Sequence, residues 1–461
     1  MAEKNNYPII FVHGILGWGE HEAGFGDYWG RAHDVEGYKI EFASVGPISS
    51  YWDRARELFY QIKGYKEDDC DRDCVYKCDG YEELHIHKET LTDHLKVEKL
   101  PNWKKGNKPL YSAWDKDHPI HLVGHSQGAW TILLLQYMLA QGDLFPPYKT
   151  SARWIRSVTS ISGVLNGTTA PYAVCNFDEK TGYYKGTSYP FILNRRLMYD
   201  FLGLSPINLL KTRWHAFISP YSNWDSFMHD VKEILKTGGY NWDLDQWSVT
   251  RKNKSNIIYN EKLEMLLNML FIFKVNLKDF VYGKDNAAYC LSVIGTIELN
   301  KLFKVYEDTT YFSYVTQQKP KDFHFFLKRF GKAIGNYSIK KLIKTEYWPE
   351  KNRRWPAKAE IDELWQKNDG LVPVISQQYP WLGVEEENYF PVSEYNDEGV
   401  LFWPKSPRAG NWYTMNNVLN GWDHTDIVFF PQKKGSFQWN EQYWFYLTLC
   451  SNLNKLPILH P

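Results

Sequence analysis

The sequence predicts an α/β fold in which a doubly wound, mostly parallel sheet carries helices on both faces. Three observations point there. Short runs rich in β-branched and aromatic residues recur along the chain, and helical patterns stand between them. No repeat, low-complexity tract or Pro/Ser-rich linker divides the 461 residues. The first run is Tyr7 to His13, followed at once by a glycine-rich turn, Gly14-Ile15-Leu16-Gly17-Trp18-Gly19. The second begins at Pro119-Ile120-His121-Leu122-Val123, and Ala129 to Ala140 behind it reads as a helix that Gly142 is placed to end. Further strands are expected at Ile155 to Ser162 and Thr309 to Thr316, and a final amphipathic helix at Gln438 to Leu453. The stretches at about 175–300 and about 317–360 are rich in aromatics and lysine. They read as helical excursions from a single domain spanning 1–461, the first as a lid or cap. Within it Leu263 to Phe273 is unusually apolar, which suits either a buried helix or a lid facing a lipid-like substrate.

Composition narrows the class. Lys plus Arg and Asp plus Glu are equal at 54 each, so the net charge is zero. That excludes a chain that tracks nucleic-acid phosphates and a polybasic membrane anchor. Aromatics make up 17%, with 20 Trp, enough for a large core and an apolar substrate site. The opening MAEKNNYPIIFVHG shows no basic-then-apolar leader, and no apolar run is long enough to span a bilayer. The expectation is a soluble chain acting in the cytoplasm or peripherally at lipid surfaces. Cysteines at 70, 74, 78, 175, 290 and 450 are too sparse for a disulfide scaffold, although Cys70, Cys74 and Cys78 cluster.

Gly124-His125-Ser126-Gln127-Gly128 sits between the second strand and its helix. A sharp strand-to-helix turn exposes a serine hydroxyl, and the helix N-terminus beneath it favours developing negative charge. Side chains at the flanking glycines would collide with the neighbouring strand and helix. A serine nucleophile needs a histidine base and an acid to orient it. In an α/β-hydrolase these follow in the order serine, acid, histidine. Asp369, in Asn368-Asp369-Gly370, and His424, in Trp422-Asp423-His424-Thr425-Asp426, suit those roles. Asp423 and Asp426 compete for the acid role and rank lower, because a carboxylate so near the histidine in sequence tends to point elsewhere. An oxyanion hole requires two backbone N–H donors. Gln127 should give one and the His13-Gly14-Ile15 turn the other, most naturally through Ile15. His13 itself reads as a structural histidine that fixes this turn.

Tyr7 to Glu20, Gly26 to Gly30, Val45 to Ala55, Trp114 to Gly128, Ser160 to Thr169, Leu244 to Trp247, Thr309 to Tyr314, Asn368 to Gly370 and Asp423-His424 form an ordered series. Together they resemble the large zinc-containing triacylglycerol lipases of staphylococci and thermophilic Gram-positive bacteria, with plant relatives. The resemblance spans nearly the whole chain. It implies an α/β-hydrolase with helical lid insertions and the triad Ser126, Asp369 and His424. The oxyanion hole would be built from Ile15 and Gln127. It also implies a structural zinc held by two Asp and two His. Asp53 and Asp245 match the carboxylate ligands, and His85 with His87 or His94 would complete the set from an excursion at about 53–100. The spacing there departs from the family pattern, and Cys70, Cys74 and Cys78 offer alternative thiolate ligands. Calcium is disfavoured. Asp426 occupies the first carboxylate position, but the second reads Phe429-Phe430-Pro431-Gln432, without an anionic ligand.

The function expected is lipase-type ester hydrolysis, on triacylglycerol or a related acyl lipid, through an acyl-enzyme. The alternatives are a phospholipase, a short-chain esterase or a lipid acyltransferase on the same fold. A non-catalytic lipid-binding protein ranks last.

Overall fold

Seven strands form one parallel sheet in a computed structural model. The structure describes residues 5–19, 27–64, 108–145, 147–177, 184–187, 286–324, 327, 331, 363–392, 403–428 and 437–458. The strands are β1 (Ile9–Val12), β2 (Ile40–Ala43), β3 (Ile120–His125), β4 (Ile155–Ile161), β5 (Thr310–Gln317), β6 (Tyr389–Val392) and β7 (Trp412–Asn420). Their spatial order is β2-β1-β3-β4-β5-β7-β6, with every neighbouring pair parallel. The chain steps outward from β1 to β2, then returns to place β3 on the other side of β1. This reversal makes the β1/β3 boundary a switch point, where open parallel sheets bind ligands beyond the strand C-termini.

Alternation along β1 explains the two-faced core. Ile10 and Val12 join Leu122, Val158 and Tyr311 on one face, while Ile9 and Phe11 join Val123, Phe312 and Met415 on the other. The first face is covered by α1 (Tyr51–Lys63) and α2 (Gln127–Gln141), and α3 (Val293–Asn300) adds to it. The second is covered by α4 (Phe437–Asn454). Ser50 caps α1, its Oγ accepting the Asp53 N–H at 3.3 Å. Gly142 ends α2 in the left-handed region, φ 87°, and its N–H reaches the Leu139 carbonyl at 3.1 Å.

The elements expected at the second, third and fourth strands, at α2 and at α4 lie where the sequence pattern places them. Sequence reasoning missed β2, β6 and β7. Edge strands β2 and β6 are only partly buried, so their apolar signal is weak. In β7, Thr414 and Asn416 dilute the pattern. The excursion at about 175–300 opens on an antiparallel ribbon, Cys175–Phe177 against Tyr184–Thr187, rather than a helix. It closes on helices at Ala287–Leu291 and α3. Leu263 to Phe273 and most of the excursions at about 53–100 and 317–360 lie outside the described residues.

Candidate active site

Ser126 occupies the turn between β3 and α2 with φ 56° and ψ −120°. A non-glycine residue there is strained by about 1–3 kcal/mol and persists only where its surroundings over-determine it. Two glycines supply that determination. A Cβ on Gly124 would press into the Gly128 backbone, and one on Gly128 would meet the Val12 and His13 carbonyls. The start of α2 therefore lies directly on the end of β1. The Ser126 N–H donates to the Ile161 carbonyl at 3.0 Å, tying the turn to β4 as well.

Two chain segments remote in sequence converge on this serine. His424 Nε2 lies 2.8 Å from Ser126 Oγ, and His424 Nδ1 lies 2.8 Å from Asp369 Oδ2. All three side chains are buried. Asp369 sits in the turn that ends at Gly370 (φ 104°), where a Cβ would meet Leu327. Its carboxylate is fully engaged. Oδ1 accepts the N–H groups of Leu371 and Val372, at 3.0 and 2.8 Å. Oδ2 accepts the Thr316 hydroxyl at 2.7 Å and Gln377 Nε2 at 3.1 Å besides the imidazole. The Asp369 backbone carbonyl also accepts the His424 N–H at 2.8 Å. Asp369 and His424 are thus locked to each other through both main chain and side chain. Thr316 and Gln377 were not foreseen from sequence; a threonine near a strand end and a glutamine at the end of a short 3-10 helix, Val374–Gln377, carry no motif.

The turn after β1 faces the serine, since a Cβ on Gly14 would touch Ser126 Cβ. Its peptide groups are fixed one by one. The His13 carbonyl accepts Arg54 Nη2, and the Gly14 N–H donates to Tyr28 Oη at 2.9 Å. The Gly14 carbonyl accepts His13 Nδ1 at 2.8 Å and the Gly17 N–H at 3.2 Å. Because that carbonyl belongs to the same peptide unit as the Ile15 N–H, anchoring one end orients the other. His13 Nε2 accepts the Val45 N–H at 3.1 Å, so the ring bridges two segments as a neutral donor and acceptor. Burial, helped by the Arg54 charge, pushes its pKa down to about 3. Gln127, at the first position of α2, presents its N–H from the helix start beside Ser126.

Of the residues expected to hold zinc, Asp53 is described, a buried carboxylate on α1 with Ser50 Oγ 3.3 Å from its Oδ2. His85, His87, His94 and Asp245 lie outside the described residues, as do Cys70, Cys74 and Cys78. Asp423 and Asp426, the rival acids, face away from the triad toward His324. Asp423 Oδ2 accepts both the His324 N–H at 2.9 Å and its Nδ1 at 2.7 Å, and Asp426 Oδ1 lies 3.7 Å from the same nitrogen. Ligand atoms of these three residues fall within 4.8 Å of one another, a group that could hold a metal ion. Its donors are one ring nitrogen and two carboxylates, with the imidazole already bonded to Asp423. Calcium takes six to eight oxygens, so this set does not fit it. The Asp423 hydrogen bond raises the His324 pKa. Burial alone would raise that of Asp423, but the His324 hydrogen bond and charge outweigh it and hold the carboxyl below its ordinary value.

A parallel sheet with a strained serine turn at its switch point, a histidine and a buried aspartate defines the α/β-hydrolase class. The comparisons with known proteins find similarity to lipases and esterases. The family model described as the lipase-like C-terminal domain matches residues 5–89. The chain is 27% identical to lipase 2 of Staphylococcus aureus, with 92% of this chain and 50% of that protein covered. It is 24% identical to the lipase of Staphylococcus hyicus, covering 92% and 54%. It thus spans about half the length of the curated relatives it matches. Among solved structures it resembles EstA of Clostridium botulinum, with TM-score 0.57 and 25% identity, over 96% of this chain and 87% of that one. The fold is also that of lipase 1 from Pelosinus fermentans, with TM-score 0.55 and 23% identity, over 98% and 100%. Among the described residues, no helix is long and apolar enough to cross a membrane.

Proposed function

We propose that this protein is a serine ester hydrolase of lipase type. The observation that carries the proposal is the unbroken line Ser126 Oγ, His424, Asp369, with 2.8 Å at each step, at the C-terminal end of the sheet. With Nδ1–H donated to Asp369, Nε2 is left to accept the serine proton. Ser126 Oγ attacks the acyl carbon as His424 takes that proton. The carbonyl oxygen becomes an oxyanion, stabilised by the Ile15 and Gln127 N–H groups. His424 Nε2–H then protonates the departing alcohol, leaving an acyl-serine. Water attacks the acyl-serine by the same route, His424 accepting its proton, and the fatty acid leaves as Ser126 Oγ is reprotonated.

Similarity to proteins named lipases supports a long-chain acyl ester as substrate. Each methylene buried in an apolar site contributes about 0.8 kcal/mol, so a lipase should gain rate with acyl length. Relative rates on a series of p-nitrophenyl esters test this, and a preference for acetate over long chains would argue for a short-chain esterase. Ser126→Ala should abolish turnover and covalent labelling by a fluorophosphonate while the far-UV circular dichroism stays unchanged. Full activity in that variant would overturn the proposal.

We further propose that Asp53 is one ligand of a structural zinc, with Asp245, His85 and His87 as the others. The buried carboxylate of Asp53 and the family resemblance support this. When bound, zinc would tie the helix α1 to distant segments and supply stability rather than a nucleophile. The purified protein should contain one zinc per chain by mass spectrometry, lost in Asp53→Ala. Metal-free wild-type protein would sink the idea.

A further inference from the structure

Tyr28 and His125 belong to no step of the chemistry above, yet they are buried against it. Tyr28 Oη lies 2.7 Å from His125 Nδ1 while accepting the Gly14 N–H at 2.9 Å. At the other edge of the ring, His125 Nε2 lies 3.0 Å from the His424 carbonyl oxygen. The donor and acceptor roles follow without ambiguity. The His424 carbonyl oxygen can only accept, so in the neutral ring the proton sits on Nε2, and Tyr28 Oη, which accepts the Gly14 N–H, gives its own proton to His125 Nδ1. That nitrogen is then an acceptor, and Nε2–H donates to the His424 carbonyl. Every group in the line is satisfied by the neutral Nε2–H form of His125 and by that form alone. Trp18 and Trp29 hold the Tyr28 ring edge-on from two sides, each with centroids 5.5 Å away.

We infer that Tyr28 and His125 are positioning residues, a strut of three hydrogen bonds that joins the oxyanion turn at Gly14 to the main chain of the base, His424. One end sets the peptide next to the Ile15 donor. The other fixes the backbone from which the His424 ring projects. The oxyanion donors and the proton acceptor sit on loops far apart in sequence, and acyl transfer needs both at once. A strut between them keeps their separation constant as charge moves onto His424. It also keeps His125 uncharged with its ring centroid 4.7 Å from that of His424, so this ring adds no positive charge beside the imidazolium that forms. Burial, reinforced by the nearby His424, pulls the His125 pKa well below its ordinary value, in keeping with this arrangement.

The inference rests on the acyl-transfer reading. Its test uses the full chain with p-nitrophenyl ester turnover, normalised to active sites titrated by a fluorophosphonate. Tyr28→Phe keeps the packed ring and deletes the link. It should lower kcat per titrated site by about tenfold to a hundredfold with KM nearly unchanged, the size expected when reacting groups are slightly misplaced. His125→Gln, whose side-chain amide can still donate toward His424, should retain more of the rate than His125→Ala. If Tyr28→Phe turns over at the wild-type rate per site, the strut has no role in positioning. If it loses rate only by losing titratable sites, its role is structural and the inference also fails. Should His125→Ala not fold, Tyr28→Phe alone decides. A wild type that resists the fluorophosphonate would instead overturn the acyl-transfer reading and take this inference with it.

Discussion

The two halves of the candidate site are held by different physics. The serine turn itself, between β3 and α2 where it packs on the end of β1, is fixed by sterics. Gly124 and Gly128 leave no room for a Cβ, and the strained Ser126 has nowhere to relax. The acid–base side, built after β5 and β7, is fixed by hydrogen bonds. Five donors converge on the Asp369 carboxylate, and the loop from Asp423 to Asp426 is knitted by its own side chains and by His324. Contact between backbones tolerates almost no substitution, whereas a hydrogen-bonded carboxylate tolerates loss of one partner and fails when its charge is removed.

Removing that charge should have the largest effect. Asp369→Asn keeps the shape but cannot hold His424 in the same tautomer, and kcat should fall by about four orders of magnitude, as the same swap does in the chymotrypsin-type triad. A loss below tenfold would mean that Asp369 does not act on His424. The opposite failure is expected on the serine side. Gly128→Ala should cost about 3 kcal/mol or more of stability in urea unfolding, because the Val12 carbonyl must move. An unchanged midpoint with a folded, active protein would show that the elbow is not sterically fixed.

Acid should separate the two halves further. His13 and His121 are buried and held neutral, with pKa values pushed down to about 3 by burial and by the nearby Arg54 and Arg156 charges. In the unfolded chain each would titrate near 6.5, the ordinary value for an exposed imidazole. The unfolded state then binds more protons, and stability falls as the pH drops below that value. Between pH 6.5 and 4.5 each should remove about 2 kcal/mol. Urea titrations at several pH values should give at least this slope, and His121→Asn should reduce it by one histidine's share; a flat profile would contradict the burial of neutral imidazoles. The smallest effect is expected at His324→Asn. Losing the bond to Asp423 should cost about 1 kcal/mol, read as a small drop in Tm.

Much of the serine side was legible in the sequence because its causes are local. The Gly-x-Ser-x-Gly pattern, a strand before it and a helix closed by Gly142 fall within a short stretch. Steric exclusion between adjacent elements acts on residue type alone. The cores on both sheet faces could likewise be anticipated from strand and helix periodicity. Strands β2, β6 and β7 escaped because edge exposure and polar residues blur the alternation that marks a buried strand. The acid and base were nameable from their order and from family resemblance, but 54 acidic residues could not be sorted by spacing.

The sequence by itself determined the α/β class and the strand–turn–helix around Ser126, since both follow from local periodicity and backbone sterics. Only the tertiary structure decided which groups face each other across 298 residues between Ser126 and His424, and 55 between Asp369 and His424. It alone paired Asp423 with His324 rather than with the triad, and it alone set His125 between Tyr28 Oη and the His424 carbonyl. The physical reason is that a hydrogen bond depends on geometry between distant segments, which residue type does not encode until the sheet brings their loops to one edge.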